Sequence, residues 1–152
     1  MKPEIYQEKS KQFAIYSKEV EEEYLQLGLI AEIGEVIGVR AKHLRDGTSY
    51  EHYRAALLKE IGDCFWFLSQ IHTMLGTELK ESIIAYTNDE HEALLTLQDW
   101  GGDIRNTVDL ELDLAALMFN HDMTIEEVLL TNYEKLKDRK ARNVISGSGD
   151  NR

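Results

Sequence analysis

Along most of the chain apolar residues recur every three to four positions, the period of an amphipathic helix and not of a strand. Pro3 can open a first helix, because the first helical position needs no N–H, and Ile5, Tyr6, Phe13 and Tyr16 extend its stripe to about Tyr16. Ser17 to Glu23 is acidic and holds a turn. A second helix then runs from Glu22 to about Leu44, with Leu25, Leu29, Ile33, Val36 and Ile37 as its apolar stripe and Asp46-Gly47 as its stop. Thr48 and Glu51 make a capping box for a third helix, Tyr50 to Leu75, ended by Gly76. Thr77 is placed to cap a short helix through Ala85, and residues 86–102 hold a short helical pattern ending on paired glycines. A further helix is expected over Asp103–Phe119, then a turn at Asn120-His121-Asp122. Thr124 and Glu127 cap a last helix to about Arg142. The reading is all-α: a helical bundle in one domain, 1–152. Gly28, Gly34 and Gly38 each cost the second helix up to about 1 kcal/mol against Ala, so close helix packing is expected at them.

Two features interrupt that pattern. Glu32-x-x-Glu35 and Glu60-x-x-Asp63 place acidic pairs of identical spacing in otherwise apolar runs. Residues three apart on a helix lie about 60° apart, so each pair projects from one face. Glu60 falls inside the apolar arc of Leu57, Ile61, Cys64, Leu68 and Ile71, Asp63 falls on its border, and Glu32 and Glu35 edge the earlier stripe. One such pair is usually a solvated face. Two of them on antiparallel neighbours are different, because burying unpaired carboxylates costs several kcal/mol each. A hard divalent cation compensates four carboxylates economically, which makes Mg²⁺ the expected ion and Mn²⁺ a substitute.

Composition narrows the partners. A formal net charge of −11 disfavours a nucleic-acid polymer or an anionic membrane surface, although a metal ion can still bridge to a phosphate-rich ligand. No apolar run reaches the length of a membrane span and no secretory leader is seen, and Cys64 as the lone cysteine permits no internal disulfide, so a cytoplasmic location is expected. Cys64 reads as a small core residue. The five histidines show no metal-ligand spacing, and neither a phosphate-binding glycine loop nor a nucleophile motif is present.

Positive charge is scarce, so its clustering matters. Asn132, Lys135 and Arg139 share one face of the last helix, and Arg142 and Arg152 follow. They are candidate phosphate donors, with Lys42 and Arg45 able to join from the end of the second helix. Trp66 lies off the main stripe of the third helix and is a candidate interface residue.

With these residues in hand, the stretches LGLIAEIGEVIGVRAKHLRDG, LLKEIGDCFWFLSQIHTMLG and NYEKLKDRKARNVISGSGDNR resemble the MazG-like, all-α nucleoside triphosphate pyrophosphohydrolases. The likeness covers roughly residues 20–80 and 123–152 and rests on E-x-x-E, 24 intervening residues, E-x-x-D, and the N-x-x-K-L-x-x-R helix. It implies a Mg²⁺-dependent enzyme that cleaves nucleoside triphosphates to monophosphate and pyrophosphate, assembled as a homodimer or homotetramer with sites near subunit interfaces. Glu32, Glu35, Glu60 and Asp63 would be the metal ligands, with Glu32 or Glu35 also the general base. Lys42, Asn132, Lys135, Arg139, Arg142, Ser148 and Arg152 would contact substrate, the last two from a tail, 146–152, that closes over the nucleotide. Two departures stand out: Ala31 replaces a glutamate that many relatives carry before Glu32, and about 40 residues, near Ile83 to Asp122, are inserted before the last helix. A dUTP- or dCTP-specific pyrophosphatase of the same fold, and a non-catalytic helical interaction module with salt-bridged acidic pairs, are the alternatives.

Overall fold

A computed structural model describes residues 1–81 and 89–146. Its regular structure is entirely helical: α1 (Pro3–Ser10), α2 (Glu21–Asp46), α3 (Tyr50–Leu75), α4 (Glu90–Gln98), α5 (Val108–Asn120) and α6 (Ile125–Ala141), with single 3₁₀ turns at Lys11–Phe13 and Lys18–Val20. No described helix is long and apolar enough to cross a membrane. The all-α expectation holds.

The two long helices are bounded by backbone chemistry that the sequence announces. Gly47 and Gly76 take left-handed conformations (φ 60° and 69°), which only glycine adopts without strain, and each donates its N–H back to the last turn. The three residues 47–49 then reverse the chain, so α2 and α3 pack as an antiparallel pair. α3 is the centre of the molecule: α2 covers it from one side, α1 and α6 from others, and its run from Glu60 to Ile71 is buried but for Asp63. α4 and α5 pair with each other, and α4 leans on α2.

Several boundaries differ from expectation. α1 stops at Ser10, where the buried hydroxyl bonds to the Gln7 carbonyl (3.1 Å) and meets Ser69 Oγ (3.0 Å), and the chain bends to bury Phe13. The cap of α3 is Ser49, not Thr48: its Oγ accepts from the His52 N–H, while Thr48 turns to His43. Thr77–Glu81 is not helical, because Thr77 closes the end of α3 through His72; the rest of the expected helix to Ala85 lies outside the described residues. α5 begins at Val108, five residues late, because Asp103 captures the Arg105 N–H in a local turn that competes with helix. Thr124 caps α6 as expected.

A second polar cluster ties the far end of the α2–α3 pair to the α4–α6 part. Glu90 accepts the Tyr53 hydroxyl, lies 2.8 Å from His121 Nε2 and 3.5 Å from Arg40. Burial alone would raise its carboxyl, but the His121 and Tyr53 contacts outweigh burial and hold it below the usual range. Arg54 adds a bidentate pair to Glu127 and a bond to the His121 carbonyl.

Among the described residues, only Gly28 of the three α2 glycines serves packing. A Cβ there would sit 2.1 Å from Phe67 Cε1, whereas Gly34 and Gly38 face open space. Gly62, which the pattern left unexplained, does the same for α6: its missing Cβ would lie 3.0 Å from Asn132 Cβ. Trp66 is not a surface residue; at 9% exposure it is walled in by Tyr16 and Phe67, since α3 is covered on more sides than one apolar stripe implies. Gly28→Ala should cost about 1–3 kcal/mol by overpacking against Phe67. In urea titration the double variant Gly28→Ala/Phe67→Leu should lose less than the two singles together; simple additivity would show that the contact does not set the cost.

Candidate metal centre and its cleft

α2 contributes Glu32 and α3 contributes Glu60 and Asp63, each with one carboxylate oxygen within 4.8 Å of the others. Their helices bring them together because α2 and α3 run antiparallel in tight register, with Gly28 against Phe67 one turn away. Glu35 is not part of this group. Three residues beyond Glu32, it is rotated about 60° further from the buried stripe, so it is exposed at the wall of the same cleft.

Charge is the dominant fact of the site. The Glu32 carboxyl is pushed up to about 7, first by burial and then by Asp63, Glu35 and Glu60. Glu60, only 8% exposed, is raised by burial and then by Asp63 and Glu35. Asp63 is the member that stays compensated. Lys135 Nζ reaches both its oxygens at 2.6 Å, and Asn132 Nδ2 donates to it at 2.7 Å. The Asn132 amide is in turn oriented by the fully buried Tyr6, whose hydroxyl donates to Oδ1 at 2.6 Å. Tyr6, Asn132 and Lys135 thereby pin α1 and α6 to the acidic turn of α3, and Gly62 admits Asn132 to it.

A cation fits this donor set. Three carboxylate oxygens within 4.8 Å of one another are the hard, anionic ligands that a divalent ion such as Mg²⁺ prefers. Glu35 stands one turn along the same cleft wall.

The cleft that holds the carboxylates has a volume of about 650 Å³, enough for a nucleotide-sized ligand. Its walls are of two kinds. One is aromatic: Tyr16 stacks at a tilt on Tyr24 (4.8 Å) and edge-on to Trp66 (6.4 Å), and Phe67 meets both Tyr24 (5.7 Å) and Trp66 (4.9 Å). The Trp66 Nε1–H is buried without a hydrogen-bond partner among the described residues. The other wall carries Arg139, from α6. This guanidinium is 8% exposed and, among the described residues, has neither an ion-pair nor a hydrogen-bond partner.

The sequence-derived donors therefore divide. Arg139 is in the cleft. Asn132 and Lys135 are beside it, engaged with Asp63. Arg142 is at the surface, paired with Asp138 at 2.8 Å, and Lys42 is exposed on α2, outside the cleft lining. Ser148 and Arg152 lie outside the described residues, although Ile145 and Ser146, which lead into that tail, do line the cleft. Sequence reasoning missed Tyr6 and the aromatic wall. The one available signal for the wall was Gly28, a small residue that needs a large partner opposite.

Among known proteins the chain is similar to the Gene 37 protein of Mycobacterium phage L5. The two are 27% identical over 131 residues, which make up 85% of this chain and 75% of that protein. No family model matches the chain, and no solved structure matches it. The relative's name states no activity, so the chemistry of the cleft carries the argument.

The raised carboxyls give a signed prediction. Glu32 keeps its proton to about 7 when folded but loses it near 4.5 when unfolded, so between those values the folded state binds more protons. Stability of the metal-free protein should fall as pH rises through that window and level off above it, with Glu60 adding in the same direction. Thermal melts between about pH 5 and about pH 8 should show the decline, Glu32→Gln should flatten it, and millimolar Mg²⁺ at the upper end should reverse it by several degrees. A melting temperature indifferent to both pH and Mg²⁺ would count against the site.

Proposed function

We propose that the protein is a Mg²⁺-dependent nucleoside triphosphate pyrophosphohydrolase, releasing nucleoside monophosphate and pyrophosphate. One observation carries this reading: three carboxylates within 4.8 Å share a single cleft with a buried Arg139 that has no ion-pair or hydrogen-bond partner among the described residues. A buried cation without a counter-charge calls for an anionic ligand, and an acidic cluster in the same cleft calls for a cation. A metal polyphosphate answers both. The same activity is the one implied by the resemblance to the MazG-like pyrophosphohydrolases.

The residues take roles accordingly. Glu32, Glu60 and Asp63 would hold the ion, which when bound supplies charge neutralisation for the polyphosphate and activation of water. Arg139 donates to phosphate oxygens. Glu35, in the cleft wall but outside the three-oxygen group, is the carboxylate that accepts the proton of the attacking water. The new oxygen–phosphorus bond forms at the α-phosphorus and the bond to the pyrophosphate oxygen breaks, so pyrophosphate leaves with the electron pair. Asn132 and Lys135 fix the Asp63 carboxylate, and Tyr6 fixes Asn132. The aromatic wall takes the base by stacking, which favours no single base strongly.

Incubation with a panel of ribo- and deoxyribonucleoside triphosphates and Mg²⁺ should yield pyrophosphate and monophosphate in equal amounts. Glu60→Gln and Asp63→Asn should lose at least about a thousandfold in kcat, removing a charged ligand at constant volume, while Arg139→Ala should mainly raise KM by about ten- to a hundredfold. Orthophosphate as the product, or full turnover by Glu60→Gln, would overturn the assignment.

A further inference from the structure

A second cavity, of about 480 Å³, opens where the connection 99–107 joins α4 to α5, and it shares no lining residue with the acidic cleft. Four carboxylates line it: Asp99 and Asp103 from the connection, Asp109 and Asp113 about one turn apart on α5. Among the described residues none of those lining it is cationic. The connection's own cation, Arg105, does not line it and pairs with Glu22 at 2.9 Å.

Surface aspartates need no partner, but Asp113 is not a surface residue. It is only 8% exposed, and Thr96 satisfies one of its oxygens, Oδ1, at 2.8 Å. Its Oδ2 has neither a hydrogen bond nor an ion pair among the described residues. Burial, and then the like charges of Asp109 and Glu92, hold its carboxyl above the usual range. A carboxylate buried beside charges of its own sign, with an oxygen left over, calls for a cation from outside the chain.

The shape of the site says which cation. Among the described residues only Glu32, Glu60 and Asp63 converge closely enough to hold one ion, so no three of the four aspartates here suit a single metal. The rest of the lining is largely apolar, with Trp100, Leu110, Leu112 and Ala116. The Trp100 N–H is spent on the Asn106 carbonyl (3.1 Å), which leaves the ring to meet a ligand. Separated carboxylates suit ammonium groups several carbons apart, aliphatic surface suits the methylenes between them, and an indole attracts an ammonium. The volume is that of a small-molecule site.

We propose that the α4–α5 cavity binds a linear aliphatic polyamine, its ammonium groups held by Asp109 and Asp113 of α5 and by the aspartates of the connection, its carbon chain against Trp100 and Leu110. This site is separate from the metal centre and does not rest on the metal reading.

Calorimetric titration of the whole protein with spermidine, near neutral pH and at about 0.1 M salt, should show one saturable site. Asp113→Asn keeps the volume and an acceptor for Thr96, and should weaken binding at least about tenfold, whereas Glu60→Gln should leave it unchanged. If Asp113→Asn loses its helical circular-dichroism signal, the exposed Asp109→Asn serves in its place and should weaken binding about fivefold. Butylamine, which has the carbon chain of putrescine and half its charge, should bind at least about tenfold more weakly than putrescine. No saturable binding, an affinity that survives the aspartate substitutions, loss of binding in Glu60→Gln, or equal affinity for butylamine and putrescine overturns the proposal.

Discussion

Three carboxylates held within reach of one ion repel one another, and in a half-buried position they are also starved of water. The surrounding structure is arranged around this constraint. Asp63 is ion-paired and hydrogen-bonded because Lys135 and Asn132 are brought to it from α6, and Asn132 keeps its orientation because Tyr6 is brought to it from α1. For Glu32 and Glu60 burial and the neighbouring carboxylates outweigh the pull of Lys135, so both hold their protons more tightly. The strain of the site lies in its charge and not in its backbone: two members have raised carboxyls and the third is paired. Functional sites commonly show perturbed carboxyls of this kind.

How far the sequence disclosed this depended on the range of each interaction. The pairs Glu32/Glu35 and Glu60/Asp63 were legible because a period of 3.6 residues and the cost of buried charge are local facts. The long helices were legible to within a few residues because Gly47 and Gly76 end them. Residues 103–107 misled, since a short side-chain turn at Asp103 outcompetes a pattern that reads as helix. Glu35 separated from its three partners for an angular reason that emerges only once α3 fixes which way the α2 stripe faces. The bond from Tyr6 to Asn132 spans 126 residues and has no signature in either segment. Trp66 sat off the main stripe of its own helix, and only the packing of the 11–24 stretch and α2 around α3 turned that position inward.

The two polar clusters of the α2–α3 pair divide the labour between them. At the Gly47 end, Glu90 collects Tyr53, His121 and Arg40 into a satisfied knot that fastens the later helices, and its carboxyl is held low. In the middle, burial and neighbouring carboxylates prevail at Glu32 and Glu60, and those two carboxyls are held high. The same residue type does opposite work in one chain according to how many donors reach it.

The contact of Gly28 with Phe67 works as a ruler. Glu32 follows Gly28 by four residues and Asp63 precedes Phe67 by four, so on antiparallel helices the ring in its notch dictates the axial offset of the acidic residues. A slip of one turn would move α2 by about 5.4 Å, more than the whole spread of the three oxygens, and dissolve the site while leaving an apolar seam that still packs. Apolar stripes alone are degenerate under such a slip; the notch makes one alignment unique. Drift at positions 28 and 67 is therefore expected to be correlated. A lineage that enlarges residue 28 must shrink residue 67 to keep its carboxylates in step.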